Sequence, residues 1–92
     1  MFAISFDMVV GELRAHYPRR VPQAYEEIQN ALGTLGFEWV QGSVYVNRTG
    51  DLADVTRAVD ALRALPWFGT CCRDIRAFKV ESWSDFTPLF KS

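Results

Sequence analysis

The chain opens with a run of mainly apolar residues that alternates between two faces. Phe2–Val10 is rich in aromatic and branched side chains, which predicts a first strand that closes at Gly11. In a strand, even-numbered residues share one face and odd-numbered residues share the other. The even face is apolar from position 2 to position 8, whereas the odd face carries Ser5 and Asp7. We therefore expect the even face to pack against helices and Asp7 to point outward.

The stretch after the first strand contains two prolines and then a helical pattern. Tyr17 and Val21 each precede a proline, which disfavours the helical region, so residues 11–21 are predicted to form an irregular connection. A first helix is predicted to begin near Pro22, because apolar residues then recur at helical spacing. It should end before Gly36, where glycine suits a left-handed cap.

The second half of the chain repeats strand and helix signals. Residues 37–40 and 44–47 predict two short strands joined as a hairpin. A second helix is predicted from the N-cap Asp51 to Pro66, which terminates it. Residues 72–81 predict a last strand, and a short turn begins at residue 84.

The order strand, helix, strand, strand, helix, strand predicts an α+β fold. It is the split βαβ or ferredoxin-like arrangement, with a four-stranded antiparallel sheet and both helices on one face, in a single domain over residues 1–92. The last strand should lie antiparallel beside the first, which brings Asp74 near Asp7. Both faces of the last strand are partly apolar, so we expect a second copy to cover the open sheet face as a homodimer.

Composition and charge narrow the class of protein. No apolar run approaches the length of a membrane span, and the N-terminus lacks the pattern of a signal peptide, so a cytoplasmic protein is expected.

Cys71 and Cys72 are adjacent in a predicted strand, where a disulfide between them would be strained, so we interpret them as reduced thiols. The formal net charge of −1 argues against binding nucleic acid by bulk electrostatics, although basic residues cluster at 14–20 and 73–79. Each cluster is also explained by ordinary solvated charge.

Asp7 is the most unusual residue of the first strand. Strands disfavour aspartate because its short side chain competes for backbone hydrogen bonds and packs poorly on a pleated surface. A salt bridge to Arg73 or Arg76 would explain it, and so would a metal ligand or an acid–base group.

Four segments together resemble a known family. They are Phe2–Asp7, Gly36–Asn47, Arg73–Phe78 and Trp83–Thr87. They are similar to the virulence-associated protein D family, and the match spans nearly the whole chain. That family resembles the small ribonuclease subunit of CRISPR systems in fold, and its members are associated with endoribonuclease activity and with toxin–antitoxin pairs. The resemblance implies a dimeric enzyme that cleaves single-stranded RNA, with an antitoxin protein as a further partner.

The resemblance also implies a role for Asp7. It matches the position tied to metal-dependent cleavage in the CRISPR relatives, so Asp7 is expected to be catalytic and to hold Mg²⁺, with one Asp7 from each subunit near the dimer axis. Mg²⁺ favours carboxylate oxygens and retains several waters. Such an ion would polarise the scissile phosphate and supply a hydroxide.

Other residues have a functional and a structural interpretation. Asp74 is a second catalytic candidate or one half of an ion pair. Arg73 and Arg76 could bind phosphate, or neutralise the two aspartates. Ser43 could donate a catalytic hydrogen bond to phosphate, or serve the hairpin turn. His16 could act as a general base, or be a solvated loop histidine. Some aromatic residues could stack on unpaired bases or belong to the core: Trp39, Tyr45, Trp67 and Trp83.

Two functions therefore compete. The first is an endoribonuclease, and the second is a non-catalytic dimeric scaffold or RNA-binding module in which Asp7 and Asp74 only pair with arginines. The near-neutral charge favours the scaffold, whereas the family resemblance favours the enzyme. A small-molecule sensor lacks support, because the chain has no Gly-rich phosphate loop.

Overall fold

The computed structural model describes residues 1–91, so Ser92 of the predicted domain lies outside the described residues. The elements are, in chain order, β1 (Phe2–Met8), α1 (Val10–His16), α2 (Val21–Gly33), β2 (Glu38–Gln41), β3 (Val44–Asn47), α3 (Leu52–Arg63), α4 (Phe68–Cys71), β4 (Cys72–Lys79) and α5 (Thr87–Lys91). The four strands form one antiparallel sheet in the order β2-β3-β1-β4. This confirms the ferredoxin-like α+β fold, to which α1, α4 and α5 are short additions.

The main core lies between the sheet and the two long helices. Alternation along β1 sends its even-numbered side chains to this side, as the sequence predicted. The buried cluster joins them to every third or fourth residue of α2 and α3, which is the spacing that places side chains on one helix face. Its central members are Ile4, Phe6, Met8, Ala24, Ile28, Leu32, Val55, Ala58 and Leu62.

The prediction of an irregular connection after β1 was wrong. β1 ends at Met8 rather than Val10, and α1 follows at once, with Leu13 fully buried. The restriction before proline acts on Tyr17 alone, which is extended at ψ 132°, and leaves the preceding seven residues free to form a helix. Burial of Leu13 outweighs the weak local signal.

Other boundaries agree with the sequence more closely. α2 begins at Val21, with Pro22 in its first turn, where a missing N–H group is tolerated. Gly36 has a positive φ of 85°, as expected for the left-handed position after the helix. The carboxylate of Asp51 accepts the Asp54 backbone N–H at 3.2 Å, which confirms the N-cap of α3. The predicted terminal turn continues into the five-residue helix α5.

The second face of the sheet, which carries Ala3 and Asp7, is partly covered by the chain itself. Ala3 and its β3 partner Val46 are 0% and 1% exposed, yet neither belongs to the helix-side cluster. A cavity is lined jointly by Val40 and Gln41 of β2 and by the C-terminal segment, residues 82–91. Because β4 and β2 are opposite edges of the sheet, the C-terminal segment crosses this Asp7 face. The expectation that the whole face is open is thereby corrected.

Two further sequence predictions concern the thiols and the membrane. Cys71 is buried at the end of α4 rather than in a strand, Cys72 is half-buried at the start of β4, and both are free thiols. Within residues 1–91, no helix has the length and apolar character needed to cross a membrane.

Candidate active site

Two carboxylates lie side by side on the Asp7 face. Asp7 is next to last in β1, and the strand register places it directly opposite Asp74 of β4, as the topology predicted. Both side chains are about half exposed, at 56% and 49%. Directly opposed residues have their Cβ atoms roughly 4.5–5.5 Å apart, so the two carboxyl groups share one small area. The register shifts between Asp7 and Met8, which ends regular pairing immediately beyond the carboxylates.

An arginine accompanies each carboxylate. Arg73 Nη1 lies 3.4 Å from Asp7 Oδ2, and Arg76 Nε donates to both oxygens of Asp74 at 3.2 and 3.0 Å. Opposed like charges repel, and the two guanidinium groups offset that repulsion. Because all four side chains are largely solvated, these ion pairs stabilise the fold little. The arginines are therefore free to exchange a carboxylate for a phosphate group.

Ser43 lies at the same end of the sheet but belongs to another environment. Its backbone carbonyl accepts the Phe6 N–H at 3.2 Å, which fixes the hairpin turn one residue from Asp7. Its side chain is half-buried and lines a cavity together with the core residues Phe6 and Tyr45. The structure thus brings Asp7, Asp74 and the two arginines together and separates the Ser43 side chain from them.

Comparison with known proteins identifies the family of the chain. No family model matches the chain. It is 50% identical over 91 residues to the endoribonuclease VapD of Dichelobacter nodosus, covering 99% of this chain and 98% of that protein. It is 48% identical, over the full length of both proteins, to an endoribonuclease VapD homolog of Neisseria gonorrhoeae. The endoribonuclease VapD of Helicobacter pylori is 46% identical, again over the full length of both.

The chain belongs to the VapD family. The resemblance drawn from the four sequence segments is therefore confirmed, and the relatives are named as endoribonucleases. VapD membership does not by itself assign the site, so the roles of Asp7, Asp74, Ser43, Arg73 and Arg76 stay predictions that rest on the geometry above.

The single histidine of this VapD chain lies away from the carboxylates. His16 is the last residue of α1 rather than a loop residue, and its Nε2 is 3.2 Å from Glu12 Oε2, one turn earlier. Within residues 1–91, no hydrogen bond or ion pair joins it to Asp7 or Asp74. The arrangement favours the structural interpretation of His16.

The four aromatic residues divide by exposure. Tyr45 and Trp67 are buried members of the main core, as the structural interpretation predicts. Trp83 belongs to the C-terminal segment and is 38% exposed. Trp39 is 55% exposed and lines the cavity beside Ser43.

Two residues of this cavity were not found from the sequence. Tyr25 and Gln29 of α2 also line it. They are four residues apart, so they share one helix face, and this spacing was the only available signal. Their proximity to the hairpin depends on how α2 packs against β2, which no local pattern reveals.

Proposed function

We propose that this protein is an endoribonuclease that cleaves single-stranded RNA on its Asp7 face. The observation that carries the proposal is the exposed pair Asp7 and Asp74, placed directly opposite each other with an arginine beside each. The names of the full-length VapD relatives support RNA as the substrate. A cytoplasmic location fits that substrate.

The arginines suit the binding of one RNA phosphate. A guanidinium group forms paired hydrogen bonds with phosphate oxygens, and such charge-assisted bonds are stronger than neutral ones. When Arg73 and Arg76 turn to the phosphate, they leave Asp7 and Asp74 without their partners. A carboxylate freed in this way can accept a proton from the attacking hydroxyl group. Because the chain's net charge is −1, electrostatic attraction of RNA depends on local basic clusters such as this one.

The carboxylate pair also fits Mg²⁺. No group of three or more His, Cys, Asp or Glu side chains in residues 1–91 is arranged for a metal. Mg²⁺ nevertheless requires only one or two carboxylates when waters and phosphate oxygens complete its shell. Asp7 would hold the ion with Asp74 beside it, and a bound Mg²⁺ would stabilise charge on the phosphate and lower the pKa of a coordinated water.

The test compares three purified proteins on a labelled single-stranded RNA. Asp7→Asn and Asp74→Asn keep the shape of the side chain and remove its charge, and each is expected to lower cleavage at least 100-fold, which is within the range attributed to acid–base catalysis. Asp60→Asn is the matched control, because Asp60 is an exposed carboxylate on α3 that pairs, among residues 1–91, with Arg63 alone, and it should cleave normally. Full cleavage by the Asp7→Asn protein would refute the assignment.

The same assay decides between chemical routes. Loss of cleavage in EDTA with restoration by Mg²⁺, and products that carry a 5′-phosphate, are expected for a metal-held hydroxide. A 2′,3′-cyclic phosphate formed equally well in EDTA would instead indicate attack by the RNA 2′-hydroxyl without a metal.

The alternative function is a non-catalytic scaffold or RNA-binding module. The two ion pairs in the structure favour it, because they account for Asp7 and Asp74 without catalysis. In that case wild-type protein would bind RNA without cleaving it, and Asp7→Asn would leave binding unchanged.

The proposal extends to partners. Exposed apolar residues on α5 and β4 support a homodimer, and the resemblance to virulence-associated protein D supports a toxin-like role with a neutralising antitoxin protein. A dimer across the Asp7 face would bring the carboxylate pairs of two chains towards one axis.

A further inference from the structure

A cavity lies on the helix side of the sheet, opposite the face that carries Asp7, between α2 and the turn of the β2–β3 hairpin. It has a volume of about 430 Å³ and is lined by Tyr25 and Gln29 of α2, by Trp39, Ser43 and Tyr45 of the hairpin, and by Phe6 of β1. We call it the hairpin cavity. Its size falls within the range of sites that enclose small ligands.

The walls of the hairpin cavity are aromatic and fixed in place. The Trp39 indole is more than half exposed, yet its Nε1 donates to the Gly42 carbonyl at 2.7 Å, which holds the ring against the turn. Phe6 and Tyr45 stack with their ring centroids 5.9 Å apart and their planes within 17°. An exposed ring that is already held loses little conformational freedom when a ligand stacks on it.

Polar groups in the cavity are open to water. Among residues 1–91, the Gln29 amide, the Ser43 hydroxyl and the Tyr45 hydroxyl form no side-chain hydrogen bond, and no buried side-chain polar atom lacks a partner. Burial raises the pKa of Tyr45, so this hydroxyl stays protonated and can donate. Flat aromatic surfaces with nearby donors and acceptors match the faces and edges of a nucleobase.

The hairpin cavity and the carboxylates are linked through one strand. The Phe6 N–H binds the Ser43 carbonyl, and Phe6 faces the cavity, whereas the next residue, Asp7, faces the opposite side. A nucleotide carries its base and its phosphate on different sides of the sugar. An RNA strand that passes the end of the sheet can therefore place a phosphate at Asp7 while a neighbouring base enters the cavity.

We propose that the hairpin cavity binds one unpaired nucleobase of the RNA, next to the phosphate held at Asp7. This inference rests on the proposed function, because it takes RNA as the ligand. It explains a preference for single strands, since a paired base is stacked and cannot enter a side pocket. Trp39 is then the main stacking platform, and Gln29 and Ser43 contact the edge of the base.

The experiment measures binding separately from cleavage. Asp7→Asn protein, alone or with a second substitution, is titrated into a short fluorescent single-stranded RNA. The second substitutions are Trp39→Ala, Trp39→Phe, Gln29→Ala and Leu52→Ala. Loss of a stacking ring typically weakens binding roughly 10- to 100-fold, which we expect for Trp39→Ala, with substantial recovery in Trp39→Phe. Gln29→Ala, an exposed change on α2, should weaken binding several-fold. Leu52→Ala, which removes an exposed apolar side chain at the start of α3 and outside the cavity, should bind normally.

A second arm uses RNAs that lack one base at a chosen position. One position beside the cleavage site should weaken binding as much as Trp39→Ala does, and the two changes should not add, because they remove the same contact. Additive losses, or equal losses for Trp39→Ala and Leu52→Ala, would overturn the proposal, and so would absence of RNA binding. If RNA binding depends on Trp39 but wild-type protein does not cleave RNA, the proposed function is overturned and the proposal of a nucleobase site stands.

Discussion

Asn47 shows how one side chain can fix a loop. It is the buried polar residue at the end of β3, and its amide oxygen accepts the Thr49 N–H at 3.2 Å while its nitrogen donates to the Leu35 carbonyl at 3.5 Å. A Cβ atom at Gly50 would lie 2.5–2.7 Å from three atoms of this amide. Gly50 is therefore required for space rather than for backbone conformation.

A substitution at Gly50 tests this close contact. Gly50→Ala should lower the free energy of unfolding by about 1–3 kcal/mol, because the methyl group overpacks a site whose neighbour is held by two hydrogen bonds. Urea denaturation measures the change. Gly11→Ala is the control: a Cβ there meets nothing within 4 Å, and alanine favours helix, so that variant should be unchanged or up to about 1 kcal/mol more stable.

Combining Gly50→Ala with Asn47→Ala tests whether the clash with the Asn47 amide causes the loss of stability. The double variant should be less destabilised than the sum of the two single variants, because removing the Asn47 amide also removes the clash. Strict additivity would show that Gly50 is required for another reason.

At the residue scale, the sequence predicted those features of the site that depend on strand alternation and on the order of the strands. The exposure of Asp7 follows from a period of two, and its proximity to Asp74 follows from placing the first and last strands together. The surroundings of Ser43 were not predictable. Ser43 lines a cavity together with residues of α2 and β1, and that arrangement depends on tertiary packing.

Tyr17 joins three elements at one corner of the molecule. It follows the last residue of α1, its hydroxyl donates to Glu27 of α2, and its ring meets that of Trp67, just before α4, edge-on at a centroid distance of 4.8 Å. The ring is 5% exposed, and Arg19 also contacts the Tyr17–Glu27 pair. Burial, followed by the hydrogen bond to Glu27, raises the pKa of Tyr17 above 10.

The Tyr17 hydroxyl should make the free energy of unfolding depend on pH under alkaline conditions. A raised pKa means that the unfolded chain loses the Tyr17 proton first, so the stability that the protonated hydroxyl provides is complete below pH 10 and is lost as pH rises through the higher folded pKa. Tyr17→Phe removes a hydrogen bond to a carboxylate and should be about 1–2 kcal/mol less stable at pH 8.

The difference in the free energy of unfolding between wild type and Tyr17→Phe should narrow as the pH approaches and passes 10. Urea denaturation at each pH measures this difference. Both proteins share all other alkaline transitions, so the difference between them isolates Tyr17. A gap that stayed constant to pH 11 would contradict the role assigned to this hydroxyl.

At the element scale, strong periodic patterns were sufficient for the sheet and the two long helices. α1 was missed because a proline rule for single residues was extended over the whole segment, although Leu13 and Tyr17, four residues apart, both face the core. α4 is a single turn of four residues, too short to show any period.

The molecule as a whole is a flat, two-layer plate of 38 × 36 × 20 Å. A domain of this size buries a modest fraction of its surface. Apolar side chains remain exposed at the C-terminal segment, where α5 has no buried residue and Phe86, Leu89 and Phe90 are 63–83% exposed. Phe78 of β4 is also exposed, at 45%.

We expect these side chains to be covered by a second copy of the chain. Sedimentation of the wild-type protein should give a particle of twice the mass of one chain, and replacing Leu89 and Phe90 together by serine should weaken that association at least 10-fold, because about 1.4 kcal/mol of lost apolar contact has this effect. Leu52→Ser is the control, since Leu52 is 67% exposed at the start of α3. A monomeric wild type, or a serine variant that remains dimeric, would contradict this expectation.

The course of the C-terminal segment across the Asp7 face was beyond prediction. Residues 82–86 show no period, and nothing in them indicates that they reach β2 on the far edge of the sheet. The expectation of an uncovered face rested on the order of elements alone, and that order says nothing about the chain after β4.

The carboxylate pair is made by the first strand and the last strand of the fold. The two carboxylates are therefore far apart in the sequence and meet only when these strands pair. The pair is absent from the unfolded chain and forms only when the sheet is complete. In an enzyme that cuts RNA, cleavage that depends on this pair would be lost together with the fold.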